Sequence, residues 1–493
     1  MLKIGWASRD VSTNDPVGIG GQKYERISQG SYDPTTITVL AMEDGSDQVF
    51  FISGDFTSIT QELLTEVRAA VAEKTSAVDV KKIIFSATHT HTAPRYASHS
   101  IYDKAPHDRV RIDPPEKYRK FLVDRVADAV MESYENRAEG SFSYGYGTAT
   151  VACHRRSVYF NDQSANNALT TYAVNGHGVM YGKTNKADFS GFEGAIDTNV
   201  YLLYTFDQSG KLTGAIVNVP CPSQCTGHQS FTSADYWHET RELIRQKHGD
   251  IYILPQCAAA GDLSPRPLYG YEALERKNRL KFIGDEKVRD FKEPFVYYTR
   301  RIIAENIAHA FDECLEWASR ERIEDASIKH RTEIFALDAW RVTEEEYDLA
   351  LRNYADFSKI PFKETDDPYA DFEENTELSG QLARCEKVIR RYEENADFVD
   401  TEVHVLKIGE IAFVSCPFEL FLDYQHRIQG RSPFVQTFMV QLAGSETSAM
   451  GYLATERAAK NKGYSAIMYS CRVSPYGGQT LVEKSLEILE EIK

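Results

Sequence analysis

Apolar positions fall into two periods along this chain. The run QVFFISGDF is apolar through its middle and ends in Gly54-Asp55, the pattern of a buried strand. In TQELLTEVRAAVAEKT the residues Leu63, Leu64, Val67, Ala70 and Val71 recur at helical spacing. KKIIFSAT then returns to strand, so the three segments predict a βαβ unit. Its second strand delivers two histidines, His89 and His91, at its carboxyl end. In open parallel sheets that edge is where ligands usually bind.

The same alternation continues. EKYRKFLVDRVADAVMESYENR is an amphipathic helix, and from Ser141 strands take over: SFSYGYGTATV, then VYLLYTFDQSGKLTGAIVNV, a hairpin about Asp207–Gly210. ADYWHETRELIRQKHG is helical with a glycine stop, DIYILPQ is a strand leading into the loop CAAAGDLSPRP, and PFVYYTRRIIAENIAHAFDECLEWASR is a long helix. Residues 341–396 are rich in Glu, Asp and Tyr and predict surface helices, read as a helical insertion over about 341–400 rather than a linker. EVHVLKIGEIAFVSCP is a hairpin, followed by a helix, the strand FVQTFMVQLAG and a final helix, GGQTLVEKSLEILEEI. The expected architecture is α/β: one large mixed-sheet domain spanning 1–493, with no internal repeat.

The totals narrow the function classes. A chain of 493 residues, 42% hydrophobic and 26% charged, is globular rather than disordered. Its formal charge of −17 argues against a nucleic-acid surface or docking on anionic lipid, both polyanions. No stretch approaches the roughly 20 apolar residues of a membrane span. The first residues, MLKIGWASRDVS, do not read as a signal peptide, and the eight cysteines lie mostly in apolar runs. The expectation is a cytoplasmic protein with reduced thiols and a small-molecule substrate; an oligomer remains open.

Three segments carry candidate chemistry. In SATHTHTAP, residues i and i+2 of an extended chain point the same way, so His89 and His91 could converge on a metal. A catalytic zinc takes three protein ligands, however, and a polar loop is an equal reading of the pair alone. In AAAGDLSPRP, Asp262 and Ser264 sit in a turn after a strand, where a serine can be nucleophile, oxyanion donor or clamp. An isolated turn of this kind more often satisfies its own backbone. In SCPFELF, Glu419 is expected to open a helix, a place where acids usually serve the dipole.

Taken together, the order and spacing of these segments resemble the neutral/alkaline non-lysosomal ceramidase family, zinc-dependent N-acyl amide hydrolases. SATHTHTAP is close to that family's SATHTHSGP, QCAAAGDLSP to its Gly-Asp/Asn-x-Ser-Pro loop, and IGEIAFVSCPFELF to its GDVALVGVPGE element. GYLATERAAKNKGYSA resembles its Gly-Tyr tail, and YDPTTITVLAMEDGSDQVFFISGDF its opening strand pair. The resemblance implies that His89 and Glu419 are metal ligands and that His91 lies near the metal-bound water. It places Ser264 beside the scissile carbonyl, with Asp262 in the same loop. Arg155 or Arg156 of ACHRR falls near the family's active-site arginine, and Tyr464, with Tyr452, belongs to the tail.

The chain also departs from that pattern. Pro222 and Ala449 stand where the family has its other histidine and its tyrosine ligand. His228 or His238 is the favoured replacement, with the thiols of Cys221 and Cys225 or no zinc at all as alternatives. Arg95 and Tyr96 replace small glycines, and Arg266 follows Ser264-Pro265, so the mouth of the site gains positive charge. The expected function is therefore metal-assisted cleavage of an amide or ester in a small polar substrate, anionic or sugar-derived. A repurposed site acting on a glycosidic bond or by elimination, and a catalytically inactive binding protein, are the alternatives.

Overall fold

A computed structural model describes residues 1–97, 104–164, 176–287, 291, 293–447 and 449–493. Two sheets lie face to face. The larger has eight strands in the order Tyr252–Cys257, Leu212–Val219, Asn199–Asp207, Ala138–Thr148, Lys3–Asp10, Thr36–Glu43, Gln48–Gly54, Ile83–Ala87. Its neighbours are antiparallel except at the two edges, where Gln48–Gly54 runs parallel to Ile83–Ala87 and Leu212–Val219 to Tyr252–Cys257. The smaller sheet has four strands, Ile328–Asp338, Phe398–Ile408, Ile411–Ser415 and Gln436–Val440.

The strand period explains the layering. On Thr36–Glu43, Leu40 and Met42 face the smaller sheet, whereas Ile37, Val39 and Ala41 face helices. Val49 and Phe51 divide from Phe50 and Ile52 in the same way. A strand covered on both faces has no solvent side, and so reads as a continuous apolar run. Phe51 meets Phe413 of the smaller sheet with ring centroids 4.7 Å apart. Helices Gln61–Lys74 and Pro115–Glu135 cover one part of the larger sheet's outer face, and Tyr236–His248 and Pro294–Ala318 another. Leu422–Gln429 and Pro475–Ile492 cover the smaller sheet. Leu63, Leu64 and Val67 are wholly buried, so truncating Leu64 to Ala costs about 2–5 kcal/mol.

Six strands end together, and this positions the site. The backbone after Ile83–Ala87 bonds to that after Gln48–Gly54 (Thr88 N to Gly54 O, 3.0 Å) and to the segment after Gln436–Val440 (Ala87 N to Leu442 O, 3.3 Å). Ala258 N reaches Val219 O at 3.0 Å, Gln441 N reaches Cys257 O at 3.0 Å, and Ala443 N reaches Cys416 O at 3.0 Å. Both parallel edges of the larger sheet and the parallel pair of the smaller one thus release their loops into one region.

Residues 341–400 contain helices Glu344–Phe357 and Pro368–Glu394, set between two adjacent strands of the smaller sheet. Thr343 and Glu346 form a capping box at the first, and Asp367 caps the second. Glu419 does not open a helix: Glu419–Leu420 pairs parallel with Tyr452–Leu453, and the helix starts at Leu422. The reason is tertiary: bonds from Glu419 N to Gly451 O at 2.9 Å and from Phe421 N to Leu453 O at 3.2 Å hold the segment extended beside its strand partner. No helix among the described residues is long and apolar enough to cross a membrane.

Candidate active site

The strand Ile83–Ala87 ends two residues before His89, whose φ is +64°. The chain is therefore turned, not extended, at the first histidine. A non-glycine residue held in the left-handed region costs of order 1 kcal/mol or more and must be fixed by its surroundings. Here His89 Nδ1 donates to the Thr57 carbonyl at 2.6 Å, which orients the ring and leaves Nε2 3.3 Å from Glu419 Oε2. His91 meets His89 edge-on, centroids 4.9 Å apart. The two rings converge through a turn rather than through strand alternation. Gly21 makes room for this, because a Cβ there would lie 2.6 Å from His91 Cγ.

His91 Nε2 accepts from the Gln224 side-chain amide at 2.8 Å. Burial, reinforced by His89, Arg26 and Arg155, holds its pKa well below the ordinary histidine value. Burial pushes the Glu419 carboxyl up, but His89, Arg155 and Tyr452 outweigh it and keep the group below the usual range. Burial, with Glu419 and Tyr464 beside it, raises the Tyr452 hydroxyl far above 10, so it remains a donor.

Arg155 is the hub of the site. Its Nη2 donates to the Gly261 carbonyl at 2.7 Å and to the Tyr452 hydroxyl at 3.2 Å, and lies 3.6 Å from Glu419 Oε2. Its Nη1 reaches the Tyr181 hydroxyl and Gln224 Oε1, both at 3.5 Å. Ser264, 1% exposed, takes Arg266 N at 3.1 Å and faces the Tyr181 hydroxyl at 3.4 Å. Tyr464 stacks edge-on against Tyr452 at 5.6 Å. His91, Arg155, Ser264, Tyr452, Tyr464, His228 and Arg266 all line one cavity of about 810 Å³, a size that suits a small-molecule ligand.

Other expected residues are placed elsewhere. Asp262 Oδ1 accepts from Leu422 N at 3.0 Å and so caps the distant helix Leu422–Gln429, while its Oδ2 faces His154 at 3.4 Å. Arg156 is fully buried, grips Glu193 at 2.5 and 3.1 Å and donates to the Tyr464 and Lys462 carbonyls, which fixes the loop bearing Tyr464. Arg95 pairs with Glu25, and Tyr96 is a core ring whose hydroxyl donates to Ser58 O at 2.6 Å. His238 is half-buried in the helix Tyr236–His248 and does not line the cavity. Tyr181, Gln224, Lys23, Lys183 and Lys186 line the cavity but lie in aperiodic loops that carry no sequence signal.

The donors do not make the zinc site that the resemblance implies. Among the described residues no group of three or more His, Cys, Asp or Glu side chains is placed to hold a metal ion. His89 and Glu419 face each other directly, His91 is engaged by Gln224, and neither Pro222 nor the buried Ala449 offers a donor. Burial also pushes the Cys221 and Cys225 thiols up, away from the thiolate a metal prefers.

No family model matches the chain, and no curated protein matches it. Among solved structures it is similar to the neutral ceramidase from Pseudomonas aeruginosa, with a TM-score of 0.66 at 16% identity over 100% of this chain and 75% of that one. It is also similar to a ceramidase complexed with C2, with a TM-score of 0.65 at 14% identity over 100% of this chain and 76% of that one. The class is thus a mixed α/β protein with a large mixed sheet. Its particular form is a divergent neutral-ceramidase-like fold, matched along the whole chain.

Proposed function

We propose that the protein is a hydrolase that cleaves an amide or ester bond in a small polar substrate seated in this cavity. The whole chain is read as one catalytic unit, with the helical pair of 341–400 as its insertion. The scaffold it shares with ceramidases supports a hydrolase, and the observation that carries the reading is the surroundings of Arg155. A buried guanidinium, beside the raised hydroxyl of Tyr452 and the neutral imidazole of His91, is an arrangement suited to a developing oxyanion.

In this reading the attacking water displaces the Gln224 amide from His91 Nε2, which takes a proton from that water as its oxygen attacks the carbonyl carbon. Arg155 and Tyr452 donate to the oxyanion. Collapse of the tetrahedral intermediate returns the proton from His91 to the departing amine or alcohol. Tyr181 and Ser264 flank the carbonyl, and His89, tied to Thr57 and Glu419, positions His91. No step is routed through zinc, because only two donors of the implied set are in place.

The test is turnover of a panel of short N-acyl amides and acyl esters by the wild type and by His91→Gln and Arg155→Met. Rates should fall by roughly 10²–10⁴ in either variant. They should survive dialysis against chelator. Absence of hydrolysis across the panel, or full activity in both variants, would sink the reading; loss on dialysis that zinc restores would overturn its metal-free form.

A further inference from the structure

The cavity wall carries a charge imbalance that the chemistry above does not use. Lys23, Lys183, Lys186 and Arg266 line it against one acid, Glu293, in a chain with 73 acidic and 56 basic residues. Random placement in so acidic a protein would favour the opposite sign. The four cations come from three separate segments: the loop after Gly18–Ile19, the turn after Gly178–Met180, and the loop after Leu263–Ser264.

Lys23 and Lys186 are in contact with neutral groups. Lys23 Nζ lies 4.7 Å from the centroid of the Tyr464 ring. Lys186 Nζ lies 5.0 Å from that of Tyr159 and donates to Gln163 Oε1 at 3.3 Å. The Arg266 side chain is exposed at the mouth, and no described carboxylate forms an ion pair with any of the four. Elsewhere several buried cations are matched, Arg68 by Glu402 at 2.7 Å, Arg241 by Asp55 at 2.8 Å and Arg156 by Glu193, while Arg391, away from the cavity, is held by the Met468 and Trp340 carbonyls.

Lys23 is held against burial and against the like charge of Arg384, with Glu377 the opposing acid, and its pKa is lowered to about 8. A desolvated cation kept without an ion pair on the wall of a cavity is a binding group waiting for its anion. The apolar stretch Val179, Met180, Phe295 and Val296 lines the same space and suits a carbon skeleton.

We propose that Lys23, Lys183, Lys186 and Arg266 form an anion subsite, and that the substrate is an acyl compound bearing a carboxylate, sulfate or phosphate ester. This rests on the reading of the cavity as the active site. Lys23, packed on Tyr464 beside the reacting groups, is the specificity-determining residue; the other three recruit and orient the anion. Lysine and arginine heads of this kind bind such oxyanions through charge-assisted hydrogen bonds.

The test is calorimetric titration at low salt with inorganic sulfate, with N-acetylglycine and with neutral N-acetylglycinamide. The two anions should bind competitively and the amide more weakly than either. Lys23→Met should weaken anion binding roughly tenfold, and the double change Lys183→Gln with Lys186→Gln by a similar factor. Lys23→Arg should retain binding, and Lys359→Gln, on the surface of the inserted helices, should change nothing. Equal anion affinity in Lys23→Met and wild type, or no anion binding at all, overturns the subsite. Because binding needs no turnover, the two readings fail separately. Anion binding without hydrolysis of any compound overturns the reaction alone, and hydrolysis of neutral acyl compounds without anion binding overturns the subsite alone.

Discussion

Arg300 and Lys23 are both cations drawn out of water, and they are treated in opposite ways. Arg300, in the helix Pro294–Ala318, is fully buried and donates to Asp33 Oδ2 at 2.7 Å, to Glu239 Oε2 at 2.8 Å and to the Asp235 carbonyl at 3.0 Å. Burial lowers its pKa, but Asp33, Glu239 and Asp235 outweigh that and raise it. Lys23 is half-buried against a tyrosine ring, with Glu377 acting on it but no ion pair among the described residues, and its pKa falls to about 8. The first cation ties three segments of the fold together. The second is left with a demand that the fold does not meet, and it stands on the wall of a cavity where an anion can meet it.

The strongest way to break this contrast is to remove the scaffold cation. Arg300→Met leaves two carboxylates buried without their partner, and should destabilise the protein by about 3–5 kcal/mol. Denaturant unfolding reads this directly. A loss of less than 1 kcal/mol would mean that the buried ion pairs contribute no more than surface ones, and the distinction between the two regions would collapse.

A second effect, smaller and of opposite sign, concerns Lys23. Its folded pKa lies below its unfolded value, so the unfolded chain holds more protons between about pH 8 and 10.5. The desolvation cost is fully present below pH 8 and is relieved as pH rises through that window, so stability rises there. Arg384, Glu377 and Tyr464 face the amine and set the shift. After discounting for its partial exposure, the effect is on the order of 1 kcal/mol. The difference in unfolding free energy between wild type and Lys23→Met should therefore shrink as pH rises from 8 to 10.5, with the variant the more stable at pH 7. A variant less stable than wild type at pH 7 would show that Lys23 is held for the fold.

The same physics decides what could be read from the sequence. Gln48–Gly54 and Ile83–Ala87 were legible because both faces are buried, and the run of apolar residues follows directly. Ile328–Asp338 was not, because His330 and Thr332 put polar groups along it. His330 Nε2 bonds His404 Nδ1 at 3.0 Å, so this inward polar group is satisfied inside the sheet, while Lys329 and Arg331 face water. In the site, His91, Arg155, Ser264, Tyr452 and Tyr464 could be named because they lie in motifs with a known order, and they line one cavity. Asp262 and Arg156 carry the same kind of motif signal yet hold a helix start and a loop. A motif marks a segment, and only geometry separates the side chain that faces the ligand from the one that holds the segment still. Lys23, Tyr181 and Gln224 had no signal, since a loop residue's direction is set by tertiary contacts and not by period.

The smallest effect sharpens the comparison from the other side. Arg431 and Glu483 make two parallel contacts, each 2.6 Å, better geometry than most of the buried pairs, but both side chains are about half exposed (51% and 50%). If geometry alone set the contribution of an ion pair, Arg431→Ala would rival Arg300→Met. In water, however, both ions keep most of their hydration when separated, and the pair must also immobilise two long side chains. Arg431→Ala should therefore melt within error of the wild type, and raising the salt should shift both proteins equally. A clear fall in melting temperature for Arg431→Ala would shift the argument from burial to geometry. Lys23 would then have to be explained by where its ammonium can reach rather than by what has been taken away from it.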